Sequence, residues 1–130
     1  MEAYSFFGIR KNHSLLQPWA MYALAAGRIA MIVRVSRGRF DSGLHDEVAR
    51  RLSQAQDQLI PAIRRLPGLV SYHAAVDRTS GTMVNISVWD SLEHAQAMGS
   101  LKEMSDLRVV FESLGVTFEP IVNYEDLWSI

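Results

Sequence analysis

Between Leu44 and Trp89 the spacing of apolar residues changes once, and that change limits the possible folds more than any other feature of the chain. Leu44, Val48, Leu52, Ala55, Leu59 and Ile63 recur three and four residues apart, the buried stripe of an amphipathic helix. Asp41 or Ser42 can cap it, and Asp46 and Glu47 fall in its positive first turn. Asp46–Arg50 and Glu47–Arg51 are spaced to pair on its wet side. Pro61 should bend the last turn, and Pro67-Gly68 should stop the helix. Beyond that point the period falls to two. Leu69 to Val76 and Thr82 to Trp89 are strand-like runs joined by Asp77-Arg78-Thr79-Ser80-Gly81, which makes them a hairpin.

The flanks complete the pattern. Ala30 to Ser36 reads as a first strand, ended by Arg37-Gly38-Arg39. Ser91 can cap a second helix, with a break expected near Gly99-Ser100 and a new cap at Ser105 or Asp106. Its last stripe is Leu107, Val110, Phe111 and Leu114, closed by Gly115 in a left-handed conformation. Val116 to Leu127 reads as one long final strand, where Pro120 requires an edge or a bulge. The order strand, helix, strand, strand, helix, strand is the split βαβ pattern. The fold class is α+β and ferredoxin-like, an antiparallel four-stranded sheet with both helices on one face.

Such a sheet has an uncovered second face. Along the third strand Val84, Ile86 and Val88 point one way, and Met83, Asn85, Ser87 and Trp89 the other. Neither set is a wet lysine-glutamate face. Two sheets packed face to face would bury the open side, so a homodimer with a shared barrel-like core is expected. The alternative is a cover supplied by residues 1–29 of the same chain.

A chain of 130 residues, 48% apolar and 21% charged, suits one domain, read here as residues 30–130 after an extension of residues 1–29. The extension weakly resembles a secretory signal. Arg10, Lys11 and His13 precede Leu15, Leu16 and the run from Trp19 to Ala26, and Ala23 and Ala25 have the spacing of a cleavage site. Glu2 and the Gln17-Pro18 break weaken that reading. The alternatives are an upstream start, with Met31 as the natural one, or an accessory helix from Pro18 to Arg28.

No apolar run approaches the roughly 18–20 residues that span a bilayer, so no membrane partner is expected. A formal charge of -1 gives no electrostatic case for binding nucleic acid. The absence of cysteine rules out disulfides and a thiolate nucleophile, and fits a reducing, cytoplasmic location. His13, His45, His73 and His94 are scattered, so no metal site is expected. There is no Gly-rich phosphate loop and no Gly-x-Ser-x-Gly elbow.

The clearest chemical set is Asn85, Ser87 and Trp89, two residues apart on one strand face. A carboxamide and an indole N–H beside an apolar pocket can hold an oxygen-bearing ligand and stabilise charge developing on it. The structural alternative is a core tryptophan with its N–H on a carbonyl, and an asparagine paired to backbone. Tyr72 and His73 are adjacent and so face opposite ways; a neutral histidine can be a general base, and a tyrosine an acid or anion anchor. His94 falls in the first turn of the second helix, at a cleft mouth or on the surface, and His45 reads as surface. Arg34, Arg37 and Arg39 form a local basic cluster around the end of the first strand that could bind an anionic group; the simpler reading is that nearby acidic residues offset it.

From Leu66-Pro67-Gly68-Leu69 through Val84-Asn85-Ile86-Ser87-Val88-Trp89-Asp90-Ser91-Leu92-Glu93-His94-Ala95 the chain resembles the antibiotic biosynthesis monooxygenase-like family. The resemblance covers roughly Ala30 to Leu127. It implies a dimeric α+β barrel and, in part of the family, cofactor-independent oxygenases that turn phenols or anthrones into quinones. There an Asn-x3-Trp pair binds the substrate carbonyl and stabilises an anionic or peroxy intermediate; Asn85 and Trp89 match that spacing. The resemblance thus implies a catalytic set of Asn85, Trp89 and His73. Tyr72, Ser87, His94, Met98 and Arg108 would contact a small aromatic substrate, with no cofactor. Haem-degrading relatives use a second tryptophan and a haem-ligating histidine; the corresponding stretch here has Met98 and Arg108, and His94 comes too early.

Three readings remain. A cofactorless monooxygenase predicts a pocket between sheet and helices lined by Asn85 and Trp89. A non-catalytic dimeric ligand-binding or stress-related module predicts Trp89 packed solid and Asn85 bonded only to backbone. A haem-binding protein requires an axial ligand.

Overall fold

The computed structural model describes residues 31–130. The readings made for residues 1–29, and for Ala30 as the first strand residue, lie outside them. The order is β1 (Ile32–Arg39), a 3-10 turn (Ser42–Leu44), α1 (His45–Gln54), α2 (Gln56–Arg64), β2 (Leu69–Asp77) and β3 (Thr82–Trp89). There follow α3 (Leu92–Ala97), a 3-10 turn (Met98–Ser100), α4 (Lys102–Leu114), β4 (Thr117–Phe118) and β5 (Val122–Glu125). The sheet runs β2-β3-β1-β4, with β5 also paired to β1, and every pairing is antiparallel. This is the expected α+β ferredoxin-like fold, with the helices on one face.

Four local expectations are corrected. The first strand does not end at Arg37-Gly38-Arg39 but runs through it. Gly38 sits in the ladder with Val116 and Phe118 packed where a side chain would go. The long first helix is two segments meeting at Ala55, Pro61 is accommodated inside the second, and the entry is a 3-10 turn with no side-chain cap from Asp41. Neither Ser105 nor Asp106 caps a helix: α4 starts straight after Leu101, whose extended backbone is the cap position. Both lie inside it, Ser105 Oγ donating to the Lys102 carbonyl at 3.0 Å and Asp106 pairing with Lys102 at 2.6 Å. The final strand is interrupted between β4 and β5, where Pro120 has no N–H to give to the ladder. Both pieces lie along the free edge of β1, as a proline-bearing strand requires.

The core is in two parts. Ile32, Leu59, Ile63, Trp89, Ala95 and Met98 form one cluster, and Phe40, Val48, Leu52, Met83, Phe111 and Val116 the other, with Leu107 packed against both. Strand alternation explains what divides them. Ile32 and Trp89 sit at one end of the helix-facing sheet surface and Met83 nearer the other, and between them the inward positions are polar.

Candidate functional site

The polar positions form a row across the sheet. Register places Tyr72 beside Ser87, Ser87 beside Arg34 and Arg34 beside Asn123, one residue each from β2, β3, β1 and β5. Asn85 and Ser36, paired with each other, form the next row toward Met83. Arg34 and Ser87 are buried, at 8% and 3% exposure. A core split by such a row cannot close over it, and a cavity of about 120 Å³ remains between the sheet and α4. Its floor carries Arg34, Tyr72, Asn85 and Ser87; Met98 and Gly99 close one side, and Met104, Leu107, Arg108 and Phe111 of α4 form the roof. A larger hollow, about 580 Å³, lies between the first two helices and β2; Tyr72 borders both.

Four observations define what the cavity can do. The Asn85 Oδ1 is buried without a hydrogen-bond partner. Native interiors rarely tolerate such an atom, which costs about 1–3 kcal/mol until a partner is supplied. Among the described residues the Arg34 guanidinium gives one side-chain hydrogen bond, from Nη1 to Asn123 Oδ1 at 3.3 Å. Burial depresses its pKa, with the nearby Tyr72 opposing. Burial pushes the Tyr72 phenol well above its ordinary range, partly offset by Arg34, so the side chain is a neutral O–H donor at physiological pH.

The structure brings together five of the residues singled out from sequence: Tyr72, Asn85, Ser87, Met98 and Arg108. Arg108 is at the rim, its guanidinium 4.8 Å from the Phe118 ring centroid and its Nε 3.2 Å from Glu112. Trp89 is not on the cavity wall. It is fully buried, and its Nε1 donates to Ser87 Oγ at 2.8 Å, so it sets the orientation of a floor residue from behind. His73 is exposed on the opposite side of the sheet, beside Ile86, because it follows Tyr72 by one residue. His94 is held outside the cavity, with Nδ1 2.6 Å from Asp90 Oδ1. None of the described histidines reaches the cavity.

Arg34 is the floor residue that sequence reasoning undervalued, by grouping it with Arg37 and Arg39. Alternation separates them: Arg37 looks to the opposite face, and Arg39 pairs with Glu119 at 2.7 Å at the exposed edge. The usable signal was parity, since Arg34 lies two residues from Ile32 and two from Ser36 on the side that meets the helices.

The motif behind the family resemblance is a latch at the end of the sheet. Gly68 at φ +85° offers its carbonyl to the Asp90 N–H at 2.9 Å, and Ser91 Oγ caps α3 by accepting from the His94 N–H at 3.1 Å. Comparison with known proteins agrees at the level of fold. No family model matches the sequence, and no curated protein matches it. Solved structures do. A candidate antibiotic biosynthesis monooxygenase of Deinococcus radiodurans is 22% identical over 77% of this chain and 95% of its own, with a TM-score of 0.57. One of Chloroflexus aurantiacus is 20% identical over 77% and 96%, TM-score 0.51. SnoaB, a cofactor-independent oxygenase from Streptomyces nogalater, is 14% identical over 77% and 96%, TM-score 0.56. Other similar structures are of proteins of unknown function. The chain therefore has the fold of the antibiotic biosynthesis monooxygenase-like proteins.

Proposed function

We propose that this protein is a cofactor-independent monooxygenase that oxidises a small phenol or quinol with dioxygen, working as a homodimer closed through the open sheet face. The observation that carries the reading is the unpartnered, buried Oδ1 of Asn85 on the floor of a largely apolar cavity. The likeness of fold to SnoaB supports the same chemistry.

In this reading the substrate hydroxyl lies between Asn85 and Tyr72, diagonal neighbours across β2 and β3. Oδ1 of Asn85 accepts its hydrogen bond, and the neutral Tyr72 O–H stabilises the phenolate once the proton has left. No carboxylate or imidazole lines the cavity among the described residues, so the proton goes to water at the mouth. The electron-rich ring carbon then forms a bond to dioxygen. The resulting hydroperoxide loses water to give the quinone: one oxygen atom stays on the ring, and the other leaves with the hydroxyl and ring hydrogens. Trp89 acts as a positioning residue through Ser87, and His73 has no part in the step.

The absence of a side-chain base in the lining favours a second reading, a dimeric ligand-binding module without turnover. Oxygen consumption with anthrones, naphthols, quinols and hydroxybenzoates, without added cofactor, separates the two. Quinone formation that falls tenfold or more in Asn85→Ala and Tyr72→Phe, a loss of about 1.4 kcal/mol of transition-state stabilisation, is the expected result. No uptake above the buffer rate leaves the binding module. Equal uptake in all three proteins assigns the chemistry to other residues.

A further inference from the structure

The cavity floor holds a positive charge that the oxidation of a neutral phenol does not use. Arg34 is inside the protein, at 8% exposure, on the central part of β1. Six of the other eight described arginines (Arg39, Arg50, Arg51, Arg65, Arg78 and Arg108) each pair with a carboxylate at the surface. Arg34, which has least access to water, has no ion pair among the described residues, and its one side-chain partner is the neutral Asn123. A guanidinium presents five N–H donors, so most of its capacity is uncommitted. Its Nη2 lies against Gly99, in the turn that closes one side of the cavity, so the charged end sits in the cavity and not beneath it.

A buried charge without a counter-ion is expensive, and an apolar residue at the same place would be less so. A fold that keeps one at the floor of a cavity is arranged for an anion that arrives with the ligand. Charge, donor geometry and size narrow that ligand. A planar guanidinium is matched by a carboxylate, which it can grip through two parallel hydrogen bonds. A cavity of about 120 Å³ has room for about one aromatic ring, since an engineered apolar cavity of about 150 Å³ takes up benzene. The Asn85 Oδ1, one pleat away on the same face, calls for a hydroxyl donor.

We infer that the cavity binds a one-ring hydroxyaryl carboxylate, with the carboxylate on Arg34 and a ring hydroxyl on Asn85. This rests on the reading of the cavity as the substrate site. It separates this protein from an enzyme for neutral or polycyclic phenols.

The test is a binding measurement, independent of turnover. Titration calorimetry compares 2,5-dihydroxybenzoate with hydroquinone, which differ by the carboxylate, against the natural protein, Arg34→Met and Arg34→Lys. The natural protein should prefer the carboxylate at least tenfold. Arg34→Met should lose that preference, so that the two ligands bind about equally, and Arg34→Lys should retain part of it. Equal affinities in the natural protein overturn the inference, as does a preference that survives in Arg34→Met. If Arg34→Met does not fold, the charge is structural; the comparison then rests on Arg34→Lys, where an undiminished tenfold preference overturns the two-point grip. Binding of the carboxylate without oxygen uptake would remove the oxygenase reading and leave this site standing. Oxidation of hydroquinone with no advantage to the carboxylate would do the reverse.

Discussion

The indole Nε1 of Trp89 donates to the hydroxyl of Ser87 at 2.8 Å, and both side chains are buried. The strand-end tryptophan thus spends its one donor on the sheet itself. Ser87→Ala leaves a buried N–H unsatisfied and should cost about 1–3 kcal/mol. Trp89→Phe removes the donor and opens a small cavity, so it should cost at least as much. The double variant should lose less than the sum, by roughly 1 kcal/mol, because the hydrogen bond that the two side chains share can be lost only once. Urea unfolding of the four proteins measures this. Simple additivity would mean that the two side chains are not coupled.

Gly68 joins the helix-terminating Pro-Gly to the segment after Trp89. Its φ of +85° lies in the left-handed region, and the space where a side chain would stand is taken by the carboxylate of Asp90 and the ring of His94. Gly68→Ala carries about 1–2 kcal/mol of backbone strain before that contact is counted. A lowered melting temperature is expected, and Asp90→Ala, which clears part of the space, should recover some of it. An unchanged melting temperature would show that the latch contributes little to stability.

Where the sequence was easily read, one period governed a whole element. Thr82 to Trp89 alternates without interruption, so its two faces and its boundaries could be assigned directly. Interruptions that depend on tertiary contact could not. Nothing local says that Gly38 stays in the ladder; Val116 and Phe118, far along the chain, make that position suit a glycine. Arg34 was hidden in a different way. Neighbours in sequence suggested a surface cluster; parity sets Arg34 apart from Arg37 and Arg39, and pairing with β3 and β5 shows that its side of the strand is the one under the helices. The Pro-Gly and Trp-Asp-Ser signals that suggested a family proved to be fold determinants, and of the Asn-x3-Trp pair Asn85 alone faces the cavity.

The open face makes its own prediction. His73, Ile86, Val35 and Val122 form a row across it, flanked by Val33, Val84, Val88 and Tyr124, and Val122 and Tyr124 are exposed. Among the described residues nothing covers this apolar surface, and the proposed homodimer would bury it. Light scattering should give the mass of a dimer for the natural protein and of a monomer for Ile86→Lys, whose ammonium would have to be buried without a partner at a cost of several kcal/mol. A natural protein of monomer mass would remove the dimer from the proposal.

Tyr72 predicts how the domain responds to alkali. Burial raises its phenol above the ordinary value, so between the unfolded value, near 10, and the folded one the unfolded chain releases a proton that the folded chain retains. The unfolded state then binds fewer protons, and stability falls as pH rises through that window. From pH 9 to pH 11 this one group should remove about 1.4 kcal/mol, since each further unit above the unfolded pKa costs about 1.36 kcal/mol. Tyr72→Phe cannot ionise, and its loss of stability between the same two pH values should be smaller by that amount. Urea unfolding at pH 9 and pH 11 compares them. Parallel losses in the two proteins would mean that the Tyr72 phenol ionises as freely in the folded state as in the unfolded chain, and so that its burial does not raise its pKa.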